Sequence, residues 1–116
     1  LAPLEDNMFN QCKSNLRLLE YGALGYPVIA TDLTPYRCGL PVTLIDNSSK
    51  SWIKAIREAI SDRTALGRSG DALRDAVLCD WTLDKFQDCW RAAWLDLPAD
   101  TKSRELHTNS GTPNVN

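Results

Sequence analysis

Apolar residues along the chain fall either in short unbroken runs or at intervals of three and four positions. The first pattern marks buried strands and the second marks one face of a helix. Leu1 to Leu4 reads as the end of a strand. Glu5-Asp6-Asn7 opens a polar loop, and the apolar pair Met8-Phe9 within it is expected to pack against something. From Cys12 to Asp32 the chain reads CKSNLRLLEYGALGYPVIATD, a loop, a helix, a tight turn and a strand. Ser14 or Asn15 is placed to cap the helix. Leu16, Leu19, Ala23 and Leu24 share the face predicted to be buried. Gly25 falls where a helix ends on a left-handed residue. Pro27 opens Val28-Ile29-Ala30-Thr31, the apolar run of a strand covered on both faces.

Farther on, Thr34 to Arg37 reads as a turn or short helix, and Cys38-Gly39-Leu40-Pro41 carries turn residues. Val42-Thr43-Leu44-Ile45 is a second buried strand, stopped by Asp46-Asn47. Ser48 or Ser49 caps a helix on which Trp52, Ile53, Ile56 and Ile60 fall together. Asp62 caps another, with Leu66, Leu73, Val77 and Leu78 inward; Gly67 and Gly70 weaken its first half. Thr82 starts a last helix carrying Leu83, Phe86, Trp90, Ala93 and Trp94, which Pro98 ends. Residues 98–116 offer almost nothing to bury and read as a disordered tail.

Strands separated by helical segments predict an α/β fold, a parallel sheet with covering helices. Two or three strands do not make a well-covered sheet. Together with the abrupt opening on Leu1-Ala-Pro-Leu, this leads us to expect a piece of a longer protein whose earlier strands lie upstream. The other reading is a small α/β domain that completes itself by dimerising.

Composition narrows the chemistry. A chain of 116 residues, 43% hydrophobic, supports at most one domain with a modest core. A net charge of −2 leaves no basic footprint for nucleic acid. Cys12, Cys38, Cys79 and Cys89 show no metal-ligand spacing and His107 lies far from them, so we expect reduced thiols in a cytosolic protein and no metal. No run reaches the ~18–20 apolar residues of a membrane helix, and the opening lacks the basic-then-apolar order of a secretory leader. Trp52, Trp90 and Trp94 recur at helical spacing with Ile and Phe and are expected to pack in a core or against another domain. Asp32, after the first complete strand, is placed either at the ligand-binding end of the sheet or as a cap for the following turn.

The run Pro3-Leu4-Glu5-Asp6-Asn7, then Lys13-Ser14-Asn15-Leu16-Arg17-Leu18-Leu19-Glu20-Tyr21, then Gly25-Tyr26-Pro27-Val28-Ile29-Ala30-Thr31-Asp32, resembles the donor-binding half of GT-B glycosyltransferases. The nearest likeness is to family 4-like enzymes that build bacterial surface polysaccharides such as O-antigen. Val42 to Ile60 resembles the next strand and helix, and Trp81 to Leu97 the closing helix. The resemblance implies that residues 1–97 are the C-terminal part of an incomplete Rossmann-like nucleotide-sugar-binding domain. It also implies an enzyme that transfers a sugar from a nucleotide-diphosphate donor to a polysaccharide or lipid-linked acceptor, with no separate cofactor. The implied partners are the nucleotide-sugar and the N-terminal portion of a parent glycosyltransferase. The implied location is cytoplasmic, at the inner face of the membrane through the acceptor. The acceptor site would lie on the other domain, so this chain alone is expected to have little or no transferase activity.

Residue by residue, the resemblance implies that Glu20 accepts hydrogen bonds from the ribose hydroxyls, as an ionised carboxylate suits a vicinal diol. On helix physics alone Glu20 is a solvated side chain. Ser14, Asn15 and Leu16 match the loop-to-helix junction that faces the diphosphate, where helix N–H groups favour an anion. Ser14 read by itself is a cap. Lys13 adds either a phosphate contact or a solvated charge. No catalytic residue is identified. Cys12 departs from the pattern, standing where many family members carry a second glutamate near the transferred sugar. A thiol does not replace a carboxylate there. The alternative is therefore a non-catalytic nucleotide-binding or protein-interaction module derived from the same fold.

Overall fold

Three stretches of chain run side by side and parallel at the centre of the fold. In the computed structural model, which describes residues 1–95, strand β1 (Ile29–Thr31) pairs with β2 (Thr43–Ile45) in the register Ile29 to Thr43, Ala30 to Leu44 and Thr31 to Ile45. On its other side β1 meets Ala2 through an isolated parallel bridge. Ala2 N–H donates to the Ile29 carbonyl at 2.9 Å, and Thr31 N–H donates to the Ala2 carbonyl at 3.3 Å. The strand end expected at Leu1 to Leu4 is therefore present as a single bridge. All three residues of β1 are buried, while Thr43 in β2 is exposed, which makes β2 an edge. The protein is mixed α/β, mostly helical, with this small parallel sheet.

The helices, in chain order, are α1 (Met8–Gln11), α2 (Leu16–Ala23), a 3-10 turn (Thr34–Tyr36), α3 (Ser49–Ser61), α4 (Arg63–Asp80) and α5 (Leu83–Leu95). The described residues divide into two units, Leu1–Trp81 and the part that begins at Thr82. The expected tail at 98–116, and the helix stop at Pro98, lie outside the described residues. The core of the first unit joins Ala2, Val28 and Ala30 of the sheet region to Leu18 of α2, Tyr36, Leu40, and Leu73 and Val77 of α4.

Local chemistry sets most boundaries. Gly25 has φ +74, and Gly25 N–H donates to the Gly22 carbonyl at 2.8 Å while Tyr26 N–H reaches back to Tyr21 at 3.0 Å. Those bonds satisfy the last carbonyls of α2 and stop it. Ser48 caps α3, its Oγ accepting from Ser51 N–H at 3.2 Å, and Asp62 caps α4 by accepting from Ala65 N–H at 2.9 Å. Both caps follow the sequence reading. The segment read as a loop at Met8-Phe9 instead forms the single turn α1, capped by Asn7, whose side chain accepts from Asn10 N–H. One turn is too short to show a period in the sequence.

Three packing expectations are corrected. On α2 the buried residues are Leu18 and Gly22, four apart, whereas Leu16 and Leu24 are exposed by 56% and 68%. The reason is steric: bare Gly22 admits Leu73 and Val77 of α4. On α3, Ala55 is the buried residue, and Ile53 and Ile60 are exposed. Met8 and Phe9 do not pack inward either; the buried member of α1 is Asn10, whose Nδ2 donates to the Glu5 carbonyl at 2.8 Å.

In the second unit, α5 buries none of its residues, and Trp90 and Trp94 are exposed by 58% and 82%. Helical spacing reports which residues share a face, and nothing in it reports whether that face is covered. Trp52 differs: it is half-buried, and its indole N–H donates to Asn47 Oδ1 at 2.9 Å.

Candidate functional site

A pocket of about 250 Å³ lies where the parallel segments end, lined by Leu4, Lys13, Ser14, Leu16, Arg17, Glu20 and Tyr36. Leu4 follows the Ala2 bridge and Tyr36 follows β1, so the pocket sits at their carboxyl ends, the side on which α/β sheets bind ligands. The larger cavity, about 330 Å³, opens at the opposite end against Pro27, Val28, Val42 and α3. Its carboxylates are already engaged: Glu58 lies 3.9 Å from Lys54, and Asp62 caps α4.

Each wall of the smaller pocket has an identifiable support. Leu4 is pinned by its N–H donating to buried Thr31 Oγ1 at 3.0 Å. Lys13 leans on α1, its Nζ 5.0 Å from the centroid of the Phe9 ring, a cation–π contact that holds the amine near the pocket. Gln11 ties α1 to the 3-10 turn, accepting from Thr34 N–H at 3.3 Å and donating to Asp6 at 2.6 Å. Tyr36, 3% exposed, belongs to the core and also lines the pocket.

Lys13, Ser14, Leu16 and Glu20, four of the five residues selected from the sequence, line this one pocket. Asn15, the fifth, occupies the N-cap position of α2 without making a side-chain cap bond, and its Nδ2 is buried with no hydrogen-bond partner. Ser14 Oγ accepts from Leu16 N–H at 3.5 Å, the outer limit for a hydrogen bond. Neither side chain therefore caps α2 firmly, and the polar start of the helix faces the pocket.

Arg17 and Tyr36 were not selected. Arg17 stood inside the matched motif, but only the fold shows that it turns to the same side as Glu20. Tyr36 lies 16 residues beyond Glu20 and carries no local signal for joining it. Burial pushes the Tyr36 hydroxyl above its ordinary pKa, against the nearby positive charge of Arg17, which favours the phenolate. Asp32 neither caps the turn nor lines the pocket. It accepts from Arg37 Nε at 2.7 Å, and this bond holds its carboxyl below the ordinary value.

Cys12 is exposed. Among the described residues no three His, Cys, Asp or Glu side chains gather as a metal site, and no helix is long and apolar enough to cross a membrane. No protein-family model, curated protein or solved structure matches the chain.

Proposed function

We propose that residues 1–97 form part of the nucleotide-sugar-binding domain of a GT-B glycosyltransferase, and that the pocket under α2 holds the nucleotide end of the donor. The observation that carries this reading is the meeting of Lys13, Ser14, Leu16 and Glu20 around one pocket at the carboxyl ends of parallel segments. Glu20 lines the pocket and has two acceptor oxygens for a ribose diol, and among the described residues no ion pair competes for them. Lys13 and the start of α2 offer positive charge to the diphosphate. In sugar transfer the departing diphosphate gains negative charge as the bond to the sugar breaks, and these groups stabilise it without a covalent step.

Titration of the protein with UDP, GDP and dTDP, followed by amide NMR, tests the reading. Shifts concentrated at Ser14, Asn15, Leu16 and Glu20 are expected for at least one nucleotide. A flat response to all three at these positions overturns it. Exposed Cys12, standing in the place of a sugar-side glutamate, favours the second reading of a non-catalytic module. Under that reading the attached sugar of a nucleotide-sugar adds no shifts around Cys12.

A further inference from the structure

A chain of three hydrogen bonds crosses the carboxyl ends of all three parallel segments. Leu4 N–H donates to Thr31 Oγ1 at 3.0 Å, the Thr31 hydroxyl donates to Asn47 Oδ1 at 3.5 Å, and the Trp52 indole N–H donates to the same oxygen at 2.9 Å. Backbone pairing on the first segment stops at the Ala2 bridge. Leu4, farther along and in the wall of the smaller pocket, is held to β1 by the Thr31 side chain instead.

The direction of this chain is fixed from its far end. An indole N–H is a donor only, so the Asn47 atom that faces it is the carbonyl oxygen and not the amide nitrogen. Towards that oxygen the Thr31 hydroxyl can act only as a donor, which leaves its lone pairs for Leu4 N–H. The Thr31–Asn47 link is the longest of the three, at the outer limit for a hydrogen bond. The setting of the hydroxyl therefore depends on Asn47 Oδ1 staying where Trp52 holds it. Thr31 is buried, so bulk water does not readily replace that acceptor.

We infer that Asn47, held by Trp52, is a positioning residue for the pocket: it sets the Thr31 hydroxyl that fixes the Leu4 wall, although neither Asn47 nor Trp52 lines the cavity. This rests on the reading of the pocket as a nucleotide site and adds a residue from beyond β2 through which the fold holds one wall in place. Asn47 acts on the ligand through Thr31 and Leu4, and the role needs an acceptor oxygen at this position rather than an amide.

Asn47→Ala removes the acceptor, and Asn47→Asp keeps it. In the ligand-free protein the Leu4 amide is expected to exchange its hydrogen roughly three- to tenfold faster in Asn47→Ala, the effect of losing one neutral hydrogen bond, and at the wild-type rate in Asn47→Asp. Affinity for UDP, GDP or dTDP, whichever the wild type binds, is expected to fall by roughly the same factor in Asn47→Ala. It returns in Asn47→Asp at about 0.15 M salt, which screens the added charge of this exposed position. Trp52→Phe keeps a ring on α3 and removes the N–H; it is expected to act in the same direction, and it decides the matter where Asn47→Ala unfolds. Wild-type Leu4 exchange in both Asn47→Ala and Trp52→Phe overturns the inference whether or not a nucleotide binds. Faster exchange with wild-type nucleotide affinity also overturns it, since the chain then serves the fold alone, and leaves the nucleotide reading standing. A wild-type protein that binds none of the three nucleotides removes the nucleotide reading, and the positioning role with it.

Discussion

Gly70 of α4 lies against the carbonyl group of Gly25, the left-handed residue that ends α2. A Cβ built on Gly70 would overlap that oxygen, and the obstacle is backbone, which cannot swing aside. Gly22 repeats the device within α2, where a Cβ would meet Val77 Cγ2 at 2.7 Å and Leu73 Cγ at 2.9 Å. Bare glycine surfaces thus set how closely α4 supports the helix that carries Arg17 and Glu20.

Gly70→Ala should therefore destabilise the protein by about 1–3 kcal/mol, as overpacking does, despite alanine's better helix propensity. Gly67, in the same helix, has nothing within 4 Å of a Cβ. Gly67→Ala should stabilise by about 0.5–1 kcal/mol through propensity alone. Urea denaturation of the two variants checks the opposite signs.

Leu18 is wholly buried, and Leu16, two residues earlier, is mostly exposed. Leu18→Ala should cost about 2–5 kcal/mol, the range for a core cavity. Leu16→Ala should shift stability by less than about 0.5 kcal/mol. Equal losses in thermal unfolding would mean that α2 buries a different face.

Thr31 Oγ1 accepts the N–H of Leu4, and Thr31 is itself buried. Thr31→Val preserves the shape and removes the acceptor, at a cost of about 1–3 kcal/mol for a polar group left unpaired. The Leu4 amide should also exchange its hydrogen faster than in the wild type. Unchanged exchange would show that the bond does not anchor this wall of the pocket.

Asp46 accepts hydrogen bonds from Ser48 and Ser51, and these hold its pKa below the ordinary 3.8. A carboxyl with a depressed folded-state pKa stabilises the fold above the unfolded value, and that contribution disappears as pH falls through the folded value. Asp46→Asn should therefore lower Tm at neutral pH, and the gap from the wild type should close below pH 3.8. A gap that stays constant on acidification would show that the ionised carboxylate adds nothing.

Glu20→Ala should weaken nucleotide binding by about 1–3 kcal/mol through loss of a charged acceptor. Glu20 is exposed and forms no ion pair with another described residue, so Tm should not change. Isothermal titration and thermal unfolding on the same sample separate the two effects.

The sequence by itself determined the order of elements and most of their ends. Those features rest on local chemistry: Ser48 and Asp62 as caps, Gly25 as a stop, and an unbroken apolar run for β1. It also selected four residues that line one pocket, because they lie within two turns of a single loop and helix. Only the tertiary structure decided which leucine of α2 turns inward, since leucines at 16, 18, 19 and 24 satisfy more than one helical face. The close approach at Gly22 and Gly70 made the choice. It likewise brought Tyr36 to Arg17 and left Trp90 and Trp94 uncovered, because spacing along a chain carries no record of what lies across from it.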